Sequence, residues 1–163
     1  MELNAGQRFL TSGGMGSMGF ALPAAIGAAF GAPGCPVVMI AGDGGFQCNI
    51  QELQTVVHHG LPLKMVVINN GCHGMVRQFQ ESYLEQRYQS TYWGYSAPQF
   101  AAVARAYGIE AAAVSDAGDL DAALASLWSD PMQPALLEVK IDTFANAYPK
   151  VAFGQPISAM EPL

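Results

Sequence analysis

The sequence carries little positive charge. Only 7 of its 163 residues are Lys or Arg against 13 Asp or Glu, which gives a net charge of -6, and the basic residues form no cluster. A nucleic-acid partner requires a basic surface that neutralises phosphates, so no such partner is expected. An anionic small ligand would have to be held by backbone N–H groups or by a metal ion.

Paired cysteines and long apolar runs are also missing. The three cysteines, Cys35, Cys48 and Cys72, show no CxxC spacing and are not matched to histidines at zinc-site intervals. Reduced thiols, and with them a cytoplasmic location, are therefore the expectation. The most hydrophobic stretch, residues 20–30, is short and interrupted by proline and glycine, so neither a membrane span nor a secretion signal is predicted.

Short β-branched strands alternate with helical segments along the chain. The composition, with 51% hydrophobic and 12% charged residues, suits a packed core, and 163 residues fit one domain. The alternation predicts an α/β fold with a mostly parallel sheet. The predicted strands are Val37–Ile40, Met65–Ile68, Ile109–Val114 and Ala135–Ile141. The first predicted helix follows a glycine-rich loop and ends at Gly31. The later predicted helices span about residues 49–59, 75–84, 97–107 and 120–128.

The stretch from Val37 to Met75 organises the rest of the chain. It reads as strand, GDGG turn, helix, strand and Asn-Asn turn. Parallel strands joined by a right-handed crossover end at the same edge of the sheet, so Asp43 and Asn70 are expected to share that edge. A carboxylate and an amide so placed are suitable oxygen ligands for one cation. The glycines around Asp43 let backbone N–H groups and a helix N-terminus approach phosphate oxygens closely.

A dinucleotide site is a competing interpretation. Residues 14–19, GMGSMG, match the GxGxxG pattern, and Asp43 follows a later strand as a ribose-binding acid would. However, the sequence has no convincing strand before Gly14, and Asp43 lies between glycines rather than in a ribose-facing position. These two features weaken the interpretation, and a nucleotide-binding Rossmann-type domain is kept as an alternative.

The two turns together resemble the cofactor signature of thiamine diphosphate (ThDP) enzymes. GDG at residues 42–44 is followed, after residues 45–68, by the Asn pair at 69–70. The upstream SGGMGSMGFALPAAIGA and the downstream NNGCHGMVRQFQ, RYQST, LLEV and YP (148–149) are similar to the acetolactate synthase branch of that family. The resemblance implies that residues 1–163 form the C-terminal, diphosphate-binding domain of such an enzyme, a three-layer α/β/α domain, without its pyrimidine-binding and central domains.

The resemblance also implies a role for individual residues. Asp43, the Asn70 side chain and the backbone carbonyl of Cys72 would hold Mg²⁺, while the amides of the glycines after Asp43 would hold the diphosphate. Met18 would keep the cofactor bent, and the Gly16 carbonyl would accept from its aminopyrimidine. The cofactor-binding set implied in this way is Gly16, Ser17, Met18, Gly42, Asp43, Gly44, Gly45, Asn70, Cys72, His73, Gly74 and Met75.

Substrate and catalysis are less fully specified by the resemblance. Acetolactate synthases usually carry Trp where this sequence has Phe79, a position that shapes the pocket for the acceptor 2-oxo acid. The glutamate that activates the pyrimidine lies in the family's N-terminal domain, usually on another subunit, so no catalytic residue is assigned in this chain. The implied activity is decarboxylation and carboligation of small 2-oxo acids by a homo-oligomeric enzyme, with no turnover by this chain alone.

Several interpretations stay open at the level of sequence. The chain is a piece of such an enzyme, or one subunit of a split ThDP-dependent 2-oxo acid decarboxylase, or a binding and assembly module that has lost catalysis. His73 has no assigned role, and the aromatic segment 79–95 either lines a substrate mouth or packs against another domain. Residues 144–163 contain several prolines and no periodicity, which predicts an extended tail that wraps the surface or reaches a partner.

Overall fold

A computed structural model describes residues 2–161. The chain divides into two compact units. The first contains the residues up to 69 together with residues 97–140, and the second contains residues 70–96 together with the chain from residue 141 onward. No helix among residues 2–161 is both long and apolar enough to span a bilayer.

The first unit is built on a parallel sheet. Its strands are β1 (Val37–Gly42), β2 (Leu63–Asn69), β3 (Glu110–Val114) and β4 (Ala135–Lys140). They lie in the order β1-β2-β4-β3, and every neighbouring pair is parallel. Gly42 pairs with Ile68 and Asn69 pairs with Lys140, so these strands end at one edge of the sheet. The predicted α/β fold with a parallel sheet is confirmed.

Helices cover both faces of this sheet. The helices of the chain are α1 (Ala21–Gly31), α2 (Asp43–Gln47), α3 (Leu53–His58), α4 (Gly74–Tyr83), α5 (Phe100–Ala106) and α6 (Leu120–Leu127), of which α4 belongs to the second unit. One core contains Leu136 with residues of α1, α3 and α5, and the other contains Leu137 with residues of α6. Successive strand residues point to opposite faces, so the two cores flank the sheet as an α/β/α arrangement.

The burial of the strands explains their sequences. β2 has a neighbour on each side and helices on its face, so Leu63, Met65 and Val67 are buried, and the strand is apolar from Met65 to Ile68, with the buried Lys64 near its start. β1 lies at the end of the sheet order. Its Met39 is buried, whereas Val38 and Ile40 are exposed.

Two predicted helices begin at other residues. The helix predicted over residues 49–59 is wrong in its start: α2 begins at Asp43, the backbone breaks at Asn49 (φ -134°, ψ 26°), and α3 follows a 3₁₀ turn. The break accompanies a hydrogen bond of 2.6 Å in which Asn49 Nδ2 donates to the Gly19 carbonyl. The helix predicted from Ala97 begins at Phe100, because Pro98 disfavours helical geometry in the residue before it.

The second unit packs the segment after residue 141 onto α4. Arg77, fully buried, donates to the Glu81 carboxylate at 2.8 Å, to the carbonyls of Phe144 and Ala145 at 3.3 Å, and to the Asn146 side chain. Within the part predicted as an extended tail, β5 (Lys150–Val151) pairs antiparallel with β6 (Met160–Glu161). Residues 162–163 of that tail lie outside the described residues.

Candidate functional site

Asp43 lies where β1 ends and α2 begins. The residue is buried, with 2% of its surface exposed, and Gly42 before it has an extended backbone (φ -76°, ψ 160°). A buried carboxylate is costly unless it is hydrogen-bonded or coordinates a metal ion. A carboxylate therefore lies at the end of β1, beside the first turn of α2.

Gly44 and Gly45 form the first turn of α2. Amides in the first turn of a helix have no acceptor within that helix, so they can donate to a side chain, to water or to a ligand. Gly44 is buried and Gly45 is half-buried. A Cβ atom added to Gly45 would meet the backbone nitrogen of Gly19 at 3.7 Å, so the glycine-rich loop passes beside this turn.

The loop from Gly16 to Gly19 has a backbone geometry that favours glycine at both ends. Gly16 and Gly19 have φ values of +61° and +83°, a left-handed geometry that favours glycine. A Cβ atom on Gly19 would lie 2.7 Å from Asn49 Nδ2, so the hydrogen bond between these residues also requires glycine here. Ser17 and Met18 are exposed, Met18 at 52%, so Met18 is not a residue of the buried core.

Asn70 follows the last residue of β2 and opens the second unit. Its Oδ1 accepts a hydrogen bond of 3.3 Å from the backbone N–H of Cys72, and its amide packs so closely on Gly74 that a side chain there would clash. Cys72 is buried, and its thiol donates to the Thr143 carbonyl at 3.3 Å. The Asn70 side chain thus lies within a tight loop that ends at Gly74.

His73 is the residue before α4, and Met75 and Phe79 lie on that helix. The backbone N–H of His73 donates to the Thr91 carbonyl at 2.9 Å, and its ring contacts the Tyr95 ring at 4.5 Å between centroids. Met75 and Phe79 are exposed and share one face of α4 by their spacing of four residues. Part of the aromatic segment is therefore ordered around His73, and Phe79 remains accessible.

Each unit brings together part of the predicted site. The first unit joins the Gly16–Gly19 loop to the turn at residues 42–45, and the second gathers residues 70–75. The pairing of Asp43 with Asn70 stays a prediction. No group of three or more His, Cys, Asp or Glu side chains that suits a metal ion exists within residues 2–161. One carboxylate combined with amide and carbonyl oxygens is a donor set that fits Mg²⁺, which also keeps phosphate and water ligands.

Sequence reasoning missed two residues that hold the turns in place. Asn49 was predicted to begin a helix, although an Asn inside a helical pattern is a signal for a local break. Glu138 is a charged residue inside the apolar strand β4, and its two carboxylate oxygens accept from Asn69 Nδ2 at 2.8 Å and from the Ala101 N–H at 3.1 Å. A buried charge in an apolar run was the available signal.

The fold and these turns define a class of protein. They make a parallel α/β domain with glycines at the carboxyl end of β1, the edge of the sheet at which such folds bind their ligands. Residues 1–139 match the family described as thiamine pyrophosphate enzyme, C-terminal TPP binding domain, and the chain belongs to this family. The dinucleotide alternative lacks the strand that it requires, since none precedes Gly14 in the described part of the N-terminus.

Relatives place the chain near one branch of the family. It is 42% identical over 154 residues to acetolactate synthase isozyme 2 large subunit of Escherichia coli (strain K12), covering 94% of this chain and 28% of the relative. It is 39% identical over 157 residues to the acetolactate synthase large subunit of Parasynechococcus marenigrum (strain WH8102), covering 96% of this chain and 25% of that protein.

A solved structure agrees in fold. The thiamine diphosphate-dependent 4-hydroxybenzoylformate decarboxylase of Rhodococcus jostii RHA1 superposes with a TM-score of 0.68 and 30% identity, covering 78% of this chain and 24% of that chain. The chain therefore spans about a quarter of the length of these proteins. It is similar to the C-terminal, ThDP-binding domain of acetolactate synthases, and the predicted resemblance is confirmed.

Proposed function

We propose that this chain holds the diphosphate and Mg²⁺ of ThDP in an acetolactate synthase-like enzyme that decarboxylates and joins small 2-oxo acids. The observation that carries the proposal is Asp43, a carboxylate with 2% exposure placed between a strand end and the glycine amides of α2. In a chain of net charge -6, that arrangement serves a cation bound together with an anion.

Three groups supply the protein ligands of Mg²⁺ in this proposal. Asp43 supplies the carboxylate, Asn70 its side-chain oxygen and Cys72 its backbone carbonyl, and phosphate oxygens complete the octahedron. An amide oxygen has two lone pairs, so the bond that Asn70 accepts from the Cys72 N–H leaves one for the metal ion. The Gly44 and Gly45 amides then donate to the diphosphate, with Gly42 allowing close approach.

The remaining residues orient the cofactor and the substrate. Bound ThDP supplies the electron sink that decarboxylation of a 2-oxo acid needs. The accessible Met18 supports the bent cofactor, and the carbonyl of Gly16, in its left-handed turn, accepts from the aminopyrimidine. Phe79 lines the pocket for the second 2-oxo acid, and its ring is smaller than the Trp usual in acetolactate synthases, so a bulkier acceptor is expected to fit.

The proposed enzyme requires more than this chain. The activating glutamate belongs to a pyrimidine-binding domain, which we expect as a further domain or as a partner subunit in a homo-oligomer. The chain spans about a quarter of its relatives, which supports that expectation. A cytoplasmic location agrees with the cysteines, none of which forms a disulfide in the described part of the chain. We expect no turnover by the chain alone.

The test is Mg²⁺-dependent binding of ThDP measured by isothermal titration calorimetry. Asp43→Ala and Asn70→Ala should each weaken binding about tenfold or more, because loss of a ligand group costs at least as much as loss of the groups that orient it. Asp121→Ala, which removes the same charge from an exposed position on α6, is the matched control and should bind as the wild type does. Unchanged Mg²⁺-dependent affinity in both site variants would contradict the assignment.

A further inference from the structure

Glu138 is a buried carboxylate in the middle of the sheet. It lies on β4, between Val67 of β2 and Ala113 of β3, with 1% of its surface exposed. The strand around it, Ala135–Lys140, is otherwise apolar up to its last residue. A charge in such a place destabilises the fold unless each oxygen is satisfied, so its presence calls for a specific partner.

Both oxygens of Glu138 are used, each by a different element. Oε1 accepts from the side-chain amide of Asn69 at 2.8 Å, and Oε2 accepts from the backbone N–H of Ala101, in the first turn of α5, at 3.1 Å. The carboxylate therefore ties the last residue of β2 to the start of α5 within the first unit.

We propose that Glu138 is a positioning residue for the cofactor site, acting through Asn69 on the Asn70 ligand. This inference rests on the proposed function of Asn70. Asn69 is the last residue of β2 and directly precedes Asn70, so a hydrogen bond that holds the Asn69 side chain also restrains the backbone from which the next residue continues. By holding Asn69, Glu138 sets the starting direction of the loop that carries Asn70.

A purely structural role for Glu138 makes a different prediction. If the carboxylate only joins β4 to α5, its loss lowers stability and leaves the Mg²⁺ requirement of ThDP binding unchanged. If it positions the ligand loop, the Mg²⁺ concentration for half-maximal ThDP binding rises. Groups that orient a ligand of a metal ion typically change metal affinity by about 10–100-fold when they are removed.

The polarity of the Glu138–Asn69 hydrogen bond offers a rescue experiment. Glu138→Gln keeps an acceptor for the Ala101 N–H but turns an amide towards the amide of Asn69, so two donors face each other. Asn69→Asp places two carboxylates together. In the double variant N69D/E138Q, the new carboxylate at position 69 accepts from the new amide at position 138, so the bond is restored with reversed polarity and unchanged net charge.

The measurement is calorimetric titration of the full chain with ThDP at a series of Mg²⁺ concentrations. We expect each single variant to raise the half-maximal Mg²⁺ concentration about tenfold, and the double variant to return within about threefold of the wild type. Leu127→Ala, which removes a buried side chain of the α6 core, is the control for general destabilisation and should leave that concentration unchanged.

Failure of the inference can be told apart from failure of the proposed function. If wild-type chain shows no Mg²⁺-dependent ThDP binding, or Asp43→Ala and Asn70→Ala both leave it intact, the proposed function fails and the inference falls with it. If these two variants weaken binding while Glu138→Gln does not change the Mg²⁺ dependence, the inference alone is wrong. It is also wrong if Leu127→Ala shifts the dependence equally, or if the double variant is no better than the singles.

Discussion

We expect the hydrogen bond from Asn49 to the Gly19 carbonyl to stabilise the glycine-rich loop. Asn49 Nδ2 lies 2.6 Å from the Gly19 carbonyl and links residues 30 positions apart, and it is the contact that accompanies the break between α2 and α3. Asn49→Ala removes the donor without adding bulk. Asn49→Asp keeps the shape but sets a carboxylate oxygen against the carbonyl oxygen.

The expected size of the effect follows from the burial of this bond. A part-buried, neutral hydrogen bond contributes about 1 kcal/mol net, so Asn49→Ala should lower the free energy of unfolding by about that amount. Asn49→Asp also leaves an acceptor opposed by an acceptor and should cost about 1–3 kcal/mol. If the lost energy appears as release of the loop, and the ordered loop presents Met18 to the cofactor as proposed, ThDP affinity falls by up to about fivefold for the alanine variant.

The assay combines urea unfolding with hydrogen exchange of the amides at residues 13–19 and with ThDP titration at saturating Mg²⁺. Gln51→Ala, an exposed change two residues away on the 3₁₀ turn, is the matched control and should alter none of the three. Exchange in the loop should accelerate in the order alanine, then aspartate. The reasoning is refuted if Asn49→Ala leaves loop exchange and ThDP affinity at wild-type values.

Two further predictions concern pH. Burial lowers the pKa of Lys64 from its ordinary 10.5, so the unfolded chain binds the proton more tightly and stability rises with pH towards 10.5. Lys64→Met should remove that rise in urea unfolding between pH 7 and 10.5. The same variant should cost about 1–3 kcal/mol at pH 7, because the bonds to the Asp130 and Gln133 carbonyls are lost. A variant with the wild-type slope would count against this. The hydrogen bond from Asn146 holds the pKa of Glu81 below its ordinary 4.5, so stability present above pH 4.5 is lost as pH falls through the lower value. Glu81→Gln should flatten that acid loss in thermal unfolding from pH 3 to 6, and an unchanged acid slope would contradict it.

The sheet could be predicted from sequence because its signals are local. Buried parallel strands are largely apolar, and β2 extends the predicted Met65–Ile68 by only a few residues, to Leu63–Asn69, of which the buried Lys64 is the charged exception. The ends of β1 and β2 were predicted for the same reason, since glycine and asparagine interrupt these runs, although residues 43–45 begin α2 rather than form a separate turn. The positions of Asp43 and Asn70 at strand ends followed directly.

The contacts that fix the site could not be predicted, because they join residues far apart in sequence. Glu138 and Asn69 are 69 positions apart, and Arg77 reaches the carbonyl of Phe144 across 67. Local propensity describes neither pair. Their only trace in the sequence is a polar residue where an apolar one is expected, which indicates that a partner exists without naming it.

The scarcity of basic residues is consistent with the proposed way of binding the diphosphate. A diphosphate held by Lys and Arg would draw on long-range attraction, which salt screens over about 8–10 Å. In the proposed site the attraction is short-ranged: glycine amides in the first turn of α2 and one cation neutralised in part by Asp43. Such a site depends on the exact direction of donors rather than on total charge. That is why uncharged residues that hold the loops of the site, such as Asn49 and Asn69, are expected to affect cofactor binding alongside the ligands themselves.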